Sequence, residues 1–255
     1  MRTVRQAAPP LVFGLLVLAA WMMVAAAGAV PSFVLPSPID VAARVVTDAR
    51  QGMIWGYLAP TLMESLLGSL LAACVAVPLG YVVAHSRLVA RTLEPYIALT
   101  QAIPLVAIAP LLVIWVGYGT VPIALLCAII AFFPMVTTSV LGFRQLNPHL
   151  IEAAGLDGAW GASRLVHIEL PLAAPAIVAG IRAGVVLSVT GAIVGEFVMG
   201  GEGLGTLLTL TRDQADSVGL FAVLVWISAA ALLLNAAIAW LERLVNRHLD
   251  GESHA

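Results

Sequence analysis

The sequence predicts an all-α, polytopic membrane protein with six transmembrane helices. Of its 255 residues, 61% are hydrophobic and only 10% are charged, whereas soluble domains carry roughly 25% charged residues. A membrane-crossing helix needs about 20 mostly apolar residues, and six apolar stretches of roughly that length follow one another along the chain. Because little else remains, we interpret residues 1–255 as a single transmembrane domain.

The predicted spans are nearly free of charge and are separated by shorter polar segments. They cover residues 11–30, 61–84, 96–116, 121–142, 172–199 and 218–241. The first span is longer than the ~7 to 15 apolar residues of a secretory signal. We therefore expect it to be retained, with cleavage near Ala25–Ala29 as the alternative.

Small residues and prolines occur within the predicted spans. Pairs such as Gly68-Ser69 and Ala179-Gly180 predict close packing between helices, because small side chains let backbones approach each other in lipid. Prolines such as Pro78, Pro104 and Pro134 remove a backbone hydrogen bond and favour kinks. Kinked helices can line a pathway, although irregular packing is the simpler explanation.

Two of the connecting segments are rich in proline or glycine. Residues 31–59 contain three prolines and then alternate apolar and charged residues, which predicts a turn and a short amphipathic surface helix. Residues 200–217 predict a short re-entrant or surface helix over 204–210, after a run of glycines. These glycines lack the lysine and the spacing of a nucleotide-binding loop.

Arginines are distributed unevenly on the two sides of the predicted spans. Eight lie on one side and three on the other, with Arg182 inside a span. Loops rich in basic residues stay in the cytoplasm. We therefore expect both termini and residues 143–171 to be cytoplasmic, and residues 31–59 and 200–217 to face outward.

Composition excludes several chemistries. The sequence contains no lysine, which rules out a phosphate-binding loop and Schiff-base catalysis on this chain. A net charge of −2 gives no basic surface for nucleic acid. Neither hydrolase motifs nor ligand-spaced histidines occur, so we expect no catalytic site and no metal site, and we interpret Cys74 and Cys127 as packing residues.

The segment 143–171 is the longest cytoplasmic loop of the prediction. Asn147-Pro148 is typical of a helix start, and Gly155 and Gly158 offer places to end a helix of about two turns. A second short helix is predicted over about 159–168. Such a helical pair would present a firm projection to a soluble partner.

A spaced pattern within this loop carries a family resemblance. Glu152-Ala153-Ala154, three residues, Gly158, nine residues, Ile168, one residue and Leu170-Pro171 resemble the E-A-A loop of binding-protein-dependent ABC importer permeases. Leu35-Pro36-Ser37-Pro38, Gln101-Ala102-Ile103-Pro104 and Gly203-Leu204-Gly205 resemble the nitrate, sulfonate and taurine group of that family. Val194-Gly195-Glu196-Phe197-Val198 is more similar to its riboflavin and pyrimidine-precursor members.

The resemblance implies a type I ABC importer permease fold in a bacterial inner membrane, without catalysis or a cofactor on this chain. It implies a second permease copy, two cytoplasmic ATPases that use ATP and Mg²⁺, and an external solute-binding protein. The transported solute would be a vitamin precursor such as a pyrimidine or riboflavin, or else nitrate, a sulfonate, taurine or bicarbonate. The implied ATPase-coupling residues are Glu152, Ala153, Ala154, Gly155, Gly158, Ile168, Leu170 and Pro171.

Three charged residues within or near the spans are candidates for a pathway or gate. A charge at mid-bilayer costs ~2.5 to 3.5 kcal/mol on insertion scales, so Glu64, Arg182 and Glu196 should face protein or water. Glu196 could serve the gate or brace a loop, Arg182 suits anchoring, and Glu64 could approach Glu196. The resembling motif adds Gln101 and Pro104.

Two rival functions remain at the sequence level. An ion-gradient-driven secondary transporter could use Glu64, Arg182 and Glu196, but it would be expected to show an internal hydropathy repeat, which is not evident. An intramembrane hydrolase lacks any supporting motif. Both would act without an ATPase, which separates them from an importer permease.

Overall fold

The computed structural model describes residues 2–28, 30–102 and 104–252, and these residues form helices with no strand among them. The all-α prediction is therefore confirmed. In chain order the helices are α1 Arg2–Ala26, α2 Pro38–Gln51, α3 Met53–His85, α4 Arg87–Ala102, α5 Leu105–Val116, α6 Thr120–Arg144, α7 Pro148–Leu156, α8 Ala162–Arg164, α9 Leu170–Met199, α10 Leu204–Asp213 and α11 Ser217–Glu252. A single π-helical turn, Leu165–Glu169, joins α8 to α9.

Four of the predicted spans are confirmed as helices that are long and apolar enough to cross a membrane. These helical stretches are Met53–His85, Thr120–Arg144, Ala162–Met199 and Ser217–Trp240. Each extends beyond at least one predicted boundary, because the helical backbone continues past the apolar run into residues that hydropathy alone assigns to loops.

The other two predicted spans are corrected in their bounds. The span over 11–30 ends as helix at Ala26, and its apolar helical part is Val12–Ala26. The span over 96–116 is divided between α4 and α5, with Val106–Val116 as its apolar part. Pro104 precedes α5 with an extended backbone (ψ 108°) and has no N–H for a continuous helix.

The predicted surface helices lie where the sequence places them. Helix α2 begins after Ser37, whose side chain accepts a hydrogen bond from the Asp40 N–H, and Pro38 occupies its first position. Helix α10 covers the predicted 204–210 segment and buries Leu204 and Leu207 against α3 and α11. The segment 85–95, between the second and third predicted spans, is mostly helical, because α4 begins at Arg87.

Helix α6 lies at the centre of the fold and packs against α3 and α9 through glycines. A Cβ added at Gly68 or Gly80 of α3 would meet Ala124 or Ser139 of α6 at 2.5 or 2.6 Å. On α9, a Cβ at Gly184 would lie 3.0 Å from the Ala131 carbonyl oxygen. The three helices therefore touch at backbone distance, as their small residues predict.

Serine hydroxyls add a polar link to this three-helix core. Ser69 of α3 donates to Ser188 Oγ of α9 across 2.7 Å, and Ser188 is also 3.0 Å from the Ser65 carbonyl oxygen. All three serines are buried. Their hydroxyls find partners inside the protein, so burial leaves no orphaned group among them.

An ion pair ties α2 to the start of α11. Arg44 Nη1 lies 2.9 Å from Asp216 Oδ2, and Arg44 Nε lies 2.9 Å from Asp48 Oδ1. Partial burial lowers the pKa of Arg44, but hydrogen bonds and charge from the two aspartates outweigh it and hold the pKa above its ordinary value. Arg44 therefore stays charged at every pH that the fold tolerates.

We expect Gly68→Ala to destabilise the protein by about 1 to 3 kcal/mol, because its new methyl group would collide with backbone of α6. Gly56→Ala on the same helix is the matched control, since nothing lies within 4 Å of an added Cβ there, and helix propensity favours alanine. Thermal unfolding in detergent measures both. Equal melting temperatures for the two variants would contradict backbone-distance packing at Gly68.

Candidate functional site

The first helix of the 143–171 segment is built from local sequence signals. Asn147 caps α7 by accepting a hydrogen bond from the His149 N–H at 3.0 Å, and Pro148 begins the helix. Proline fits there because the first helical position needs no N–H donor. The helix runs to Leu156, which agrees with the predicted two-turn helix.

Helix α7 ends in a Schellman motif centred on Gly158. The Ala159 N–H bonds to the Ala154 carbonyl oxygen at 2.9 Å, and the Gly158 N–H bonds to the Gly155 carbonyl oxygen at 3.2 Å. Gly158 adopts φ +88°, a left-handed conformation that suits glycine. The fixed interval between the Glu-Ala-Ala triplet and this glycine is thus the length of the last helical turn.

The surface of this loop is unusually apolar. The Leu156 side chain is 90% exposed and Trp160 is 68% exposed. A groove of about 430 Å³ runs beside them, lined by Ile151, Glu152, Gly155, Leu156, Trp160 and Arg164. Exposed large apolar side chains around a concave surface are typical of a protein contact site.

The remainder of the spaced pattern connects α7 to α9. Ile168 lies half-buried within the π turn, and Leu170 and Pro171 form the first positions of α9. The predicted second helix over 159–168 was wrong in its bounds, because Gly161 at φ +56° delays the helix and α8 begins only at Ala162.

Glu196 lies near the C-terminal end of α9, where its carboxyl group caps the N-terminus of α10. Its Oε1 accepts from Thr61 Oγ1 at 2.6 Å, and its Oε2 accepts from the Gly205 N–H. Thr61 Oγ1 in turn accepts from the Leu204 N–H at 2.8 Å. Glu196 is only 1% exposed, so its carboxyl group satisfies two buried donors and faces the positive end of α10.

Two positions near Glu196 require glycine, because neighbouring atoms occupy the space that a side chain would need. A Cβ on Gly203 would overlap the Glu196 carboxyl group and the Thr61 hydroxyl. A Cβ on Gly205 would lie 2.5 Å from the Ile193 carbonyl oxygen. The motif Gly203-Leu204-Gly205 therefore lets the start of α10 approach Glu196 closely enough for hydrogen bonding.

Comparison with known proteins identifies the family. Residues 76–251 match the family described as "binding-protein-dependent transport system inner membrane component". The chain belongs to this family. The permease is therefore a membrane transport component, as its E-A-A loop resemblance implies.

Several curated relatives cover nearly the whole permease. It is 38% identical over 233 residues to the riboflavin transport system permease protein RibX of Chloroflexus aurantiacus, covering 91% of this chain and 87% of the relative. It is 29% identical to the formylaminopyrimidine transport permease protein ThiX of Halalkalibacterium halodurans, covering 96% and 97%. It is also 29% identical to the taurine transport system permease protein TauC of Escherichia coli, covering 89% and 84%.

The fold is similar to that of solved ABC transporters. An inward-facing structure of the MetNI methionine ABC transporter aligns with TM-score 0.70 at 18% identity, covering 78% of this chain and 98% of that one. At this identity the likeness concerns the fold alone. Together with the relatives, it identifies the chain as an ABC importer permease.

Glu64 lies beside Glu196 in the permease, as the sequence interpretation allows. Glu64 is 2% exposed, and its carboxyl group neighbours that of Glu196 and the Thr120 hydroxyl. It borders a cavity of about 650 Å³. The cavity is lined by Ala59, Pro60, Met63, Glu64, Tyr118, Gly119, Thr120, Met199, Gly200, Gly201 and Glu202.

Two of the remaining pathway candidates, Arg182 and Pro104, do not line this cavity. Arg182 is held by α11, with Nε 2.8 Å from Asn235 Oδ1 and Nη1 3.6 Å from Glu242 Oε2. Pro104 is exposed at the start of α5. Gln101 belongs to α4, but its side chain lies outside the described part of the structure.

Two residues of these sites escaped the sequence analysis. Thr61 links Glu196 to α10, and Glu169 joins Arg164 and His85 beneath the loop. Neither belongs to a local motif, because their partners are 84 or more positions away or, for Arg164, depend on a π turn. Among the described residues no cluster of ligands for a metal ion occurs.

We expect Thr61→Val to destabilise the permease by about 1 to 3 kcal/mol, because it keeps the shape but leaves the Leu204 N–H and Glu196 Oε1 without their partner. Thr61→Ser, which retains the hydroxyl, is the control. Unfolding temperatures of the purified variants test this. A valine variant as stable as the serine variant would show that the hydroxyl bridge contributes nothing.

Proposed function

We propose that two copies of this importer permease, two cytoplasmic ATPases and an external binding protein form a type I importer. In this assembly α1 and the divided α4–α5 segment complete six membrane crossings, and both termini face the cytoplasm. ATP and Mg²⁺ bind to the ATPases, while this chain shapes the path and transmits movement without a catalytic site of its own. The permease that copurifies with this chain will show whether the two copies are identical.

The observation that carries the proposal is the exposed, firmly capped helix α7. Its Asn147 cap and Gly158 terminus fix its length, while Glu152, Leu156 and Trp160 remain open to a partner. In our proposal α7 inserts into a groove of the ATPase, with Glu152 to Gly155 and Gly158 at the contact. Ile168, Leu170 and Pro171 then return the chain to α9.

The proposed transport cycle is a rigid-body switch. Closure of the ATPases on ATP would bring the two α7 helices together and rotate the packed α3–α6–α9 core, so that the pathway opens to alternate sides. The outward cavity beside Glu64 would receive solute from the binding protein. Glu196 would hold the outward gate in shape, Arg182 would anchor α9 to α11, and Gln101 and Pro104 would border the path.

For the transported solute we propose a vitamin precursor. The relatives named for riboflavin and formylaminopyrimidine transport support this substrate class, because one of them has the higher identity of 38%. The relative named for taurine transport reaches 29%. Nitrate, a sulfonate, taurine and bicarbonate are the competing solutes, and the ligand found in the copurified binding protein decides among them.

Reconstitution in liposomes tests the proposed function directly. We expect this chain alone to accumulate neither riboflavin nor formylaminopyrimidine, and the complete complex with the binding protein to accumulate one of them when ATP is supplied. An uncoupler should leave that uptake unchanged. Uptake by this chain alone, driven by an ion gradient, would replace the proposal with a secondary transporter.

We expect Gly158→Val to uncouple ATP hydrolysis from uptake, reducing solute imported per ATP at least tenfold. A β-branched residue cannot adopt φ +88° without strain, so the end of α7 must change shape. Gly158→Asn is the control, since asparagine tolerates the left-handed region. Normal coupling in the valine variant would remove the end of α7 from its proposed role.

A further inference from the structure

Glu169 lies beneath the segment that carries α7 and α8. Among the described residues there, it is the one acidic residue that is almost fully buried. It is 1% exposed and falls between Ile168 and Leu170, at a position that the spaced pattern leaves open. Its Oε1 lies 2.8 Å from Arg164 Nε, and its Oε2 lies 3.4 Å from His85 Nε2. One carboxylate therefore joins a loop residue to the end of α3.

The π turn makes the pairing of Arg164 with Glu169 possible. Residues five apart on an α-helix point about 140° away from each other at 3.6 residues per turn. Across Leu165–Glu169 the backbone bonds from the Leu170 N–H to the Leu165 carbonyl oxygen, which widens the turn by one residue. The extra residue brings the two side chains onto the same face.

The other partner of Glu169 is fixed to the core. His85 stacks on Tyr81 with ring centroids 4.2 Å apart, and Tyr81 packs against Phe143 at 5.3 Å. His85 Nδ1 also lies 3.0 Å from the Tyr81 carbonyl oxygen. Phe143, at the end of α6, packs with Ala173 and Ile177 of α9. The cytoplasmic ends of α3, α6 and α9 thus meet around this carboxylate.

We infer that Glu169 is a positioning residue that passes displacement of α7 and α8 to the ends of α3 and α9. This inference rests on the proposed docking of α7 to an ATPase. The buried Glu169 carboxylate needs a charged partner, which Arg164 supplies, while its other oxygen lies next to His85. Without Glu169, no ionic contact would join Arg164 of α8 to His85 at the end of α3.

The contact with His85 adds a link that the backbone does not supply. α8, the π turn and α9 form one continuous helical stretch, Ala162–Met199, so the chain itself joins α8 to α9. No backbone joins this stretch directly to α3. A Coulombic contact is stronger in surroundings less polar than water, and Glu169, 2.8 Å from Arg164 and 3.4 Å from His85, holds the start of this stretch to the end of α3.

Distances measured by electron paramagnetic resonance in the complete importer complex test this inference. A nitroxide at Gln214→Cys, with Cys74→Ser to remove the exposed thiol, reports the separation of the outward ends of two permease copies. ATP with orthovanadate is the probe. We expect the ATP-driven change in distance to fall by at least half in Glu169→Gln, while ATP hydrolysis stays within twofold.

Glu94→Gln is the matched control. Its ion pair with Arg144 at 2.8 Å lies at the same end of the helices, but it is exposed and involves no residue of α7 or α8. It should keep the full change in distance. Should Glu169→Gln fail to assemble, Arg164→Gln removes the partner that is 28% exposed and should give the same loss. The double variant should lose no more than either single variant.

The outcomes separate the two ideas. A full change in distance in Glu169→Gln or Arg164→Gln, with a loss in Gly158→Val, overturns the role of Glu169 and leaves the coupling proposal standing. If the parent complex shows no ATP-driven change at all, the proposed function itself fails. Loss in Glu94→Gln as well would show general loosening of the cytoplasmic ends and would also overturn the inference.

Discussion

Backbone-distance contact between α6 and its neighbours α3 and α9 is the constraint on which the rest of the structure depends. Glycines at the contact points leave no room for even a methyl group. In a lipid environment such contact replaces the hydrophobic drive that would hold a soluble core together. Because close-packed surfaces resist gradual deformation, these three helices can move as one body. The sites at both membrane faces are mounted on them: Glu196 ends α9 on one side, and Glu169 begins it on the other.

The glycines of this permease serve two separate physical needs, and the distinction decides what each can be replaced with. Gly203 and Gly205 lie where neighbouring atoms occupy the space of a side chain, so no residue with a Cβ fits. Gly158 has open space around it but adopts a positive φ, so a residue that tolerates the left-handed region can serve. Both motifs resemble those of the family, and their fixed spacing follows from helix geometry at one site and from hydrogen bonding at the other.

Much of this arrangement could be predicted from local sequence. The length of the apolar runs predicted four spans. Asn147-Pro148 and Gly158 predicted the two ends of α7, and Ser37-Pro38 predicted the start of α2. At Pro104 the sequence predicted a kink within one span, whereas the structure divides that span into α4 and α5. Average hydropathy does not show this division, because Pro104 interrupts only hydrogen bonding. The π turn was missed since it changes the register of side chains without a characteristic residue. Thr61 and Glu169 required knowledge of which distant helices meet, and a single sequence does not supply it.

Ion pairs hold helix α11 at its start and again at Glu242, ten residues before its end. Asp216, just ahead of its first turn, holds Arg44 of α2, and Glu242 holds Arg182 of α9. These two anchors are 26 positions apart, so a rod of roughly 39 Å at 1.5 Å per residue separates them. Sliding this rod along its own axis would strain both ion pairs. Tilting it about Glu242 would keep the pair with Arg182, but the pair between Asp216 and Arg44 would survive only if α2 moved together with the start of α11.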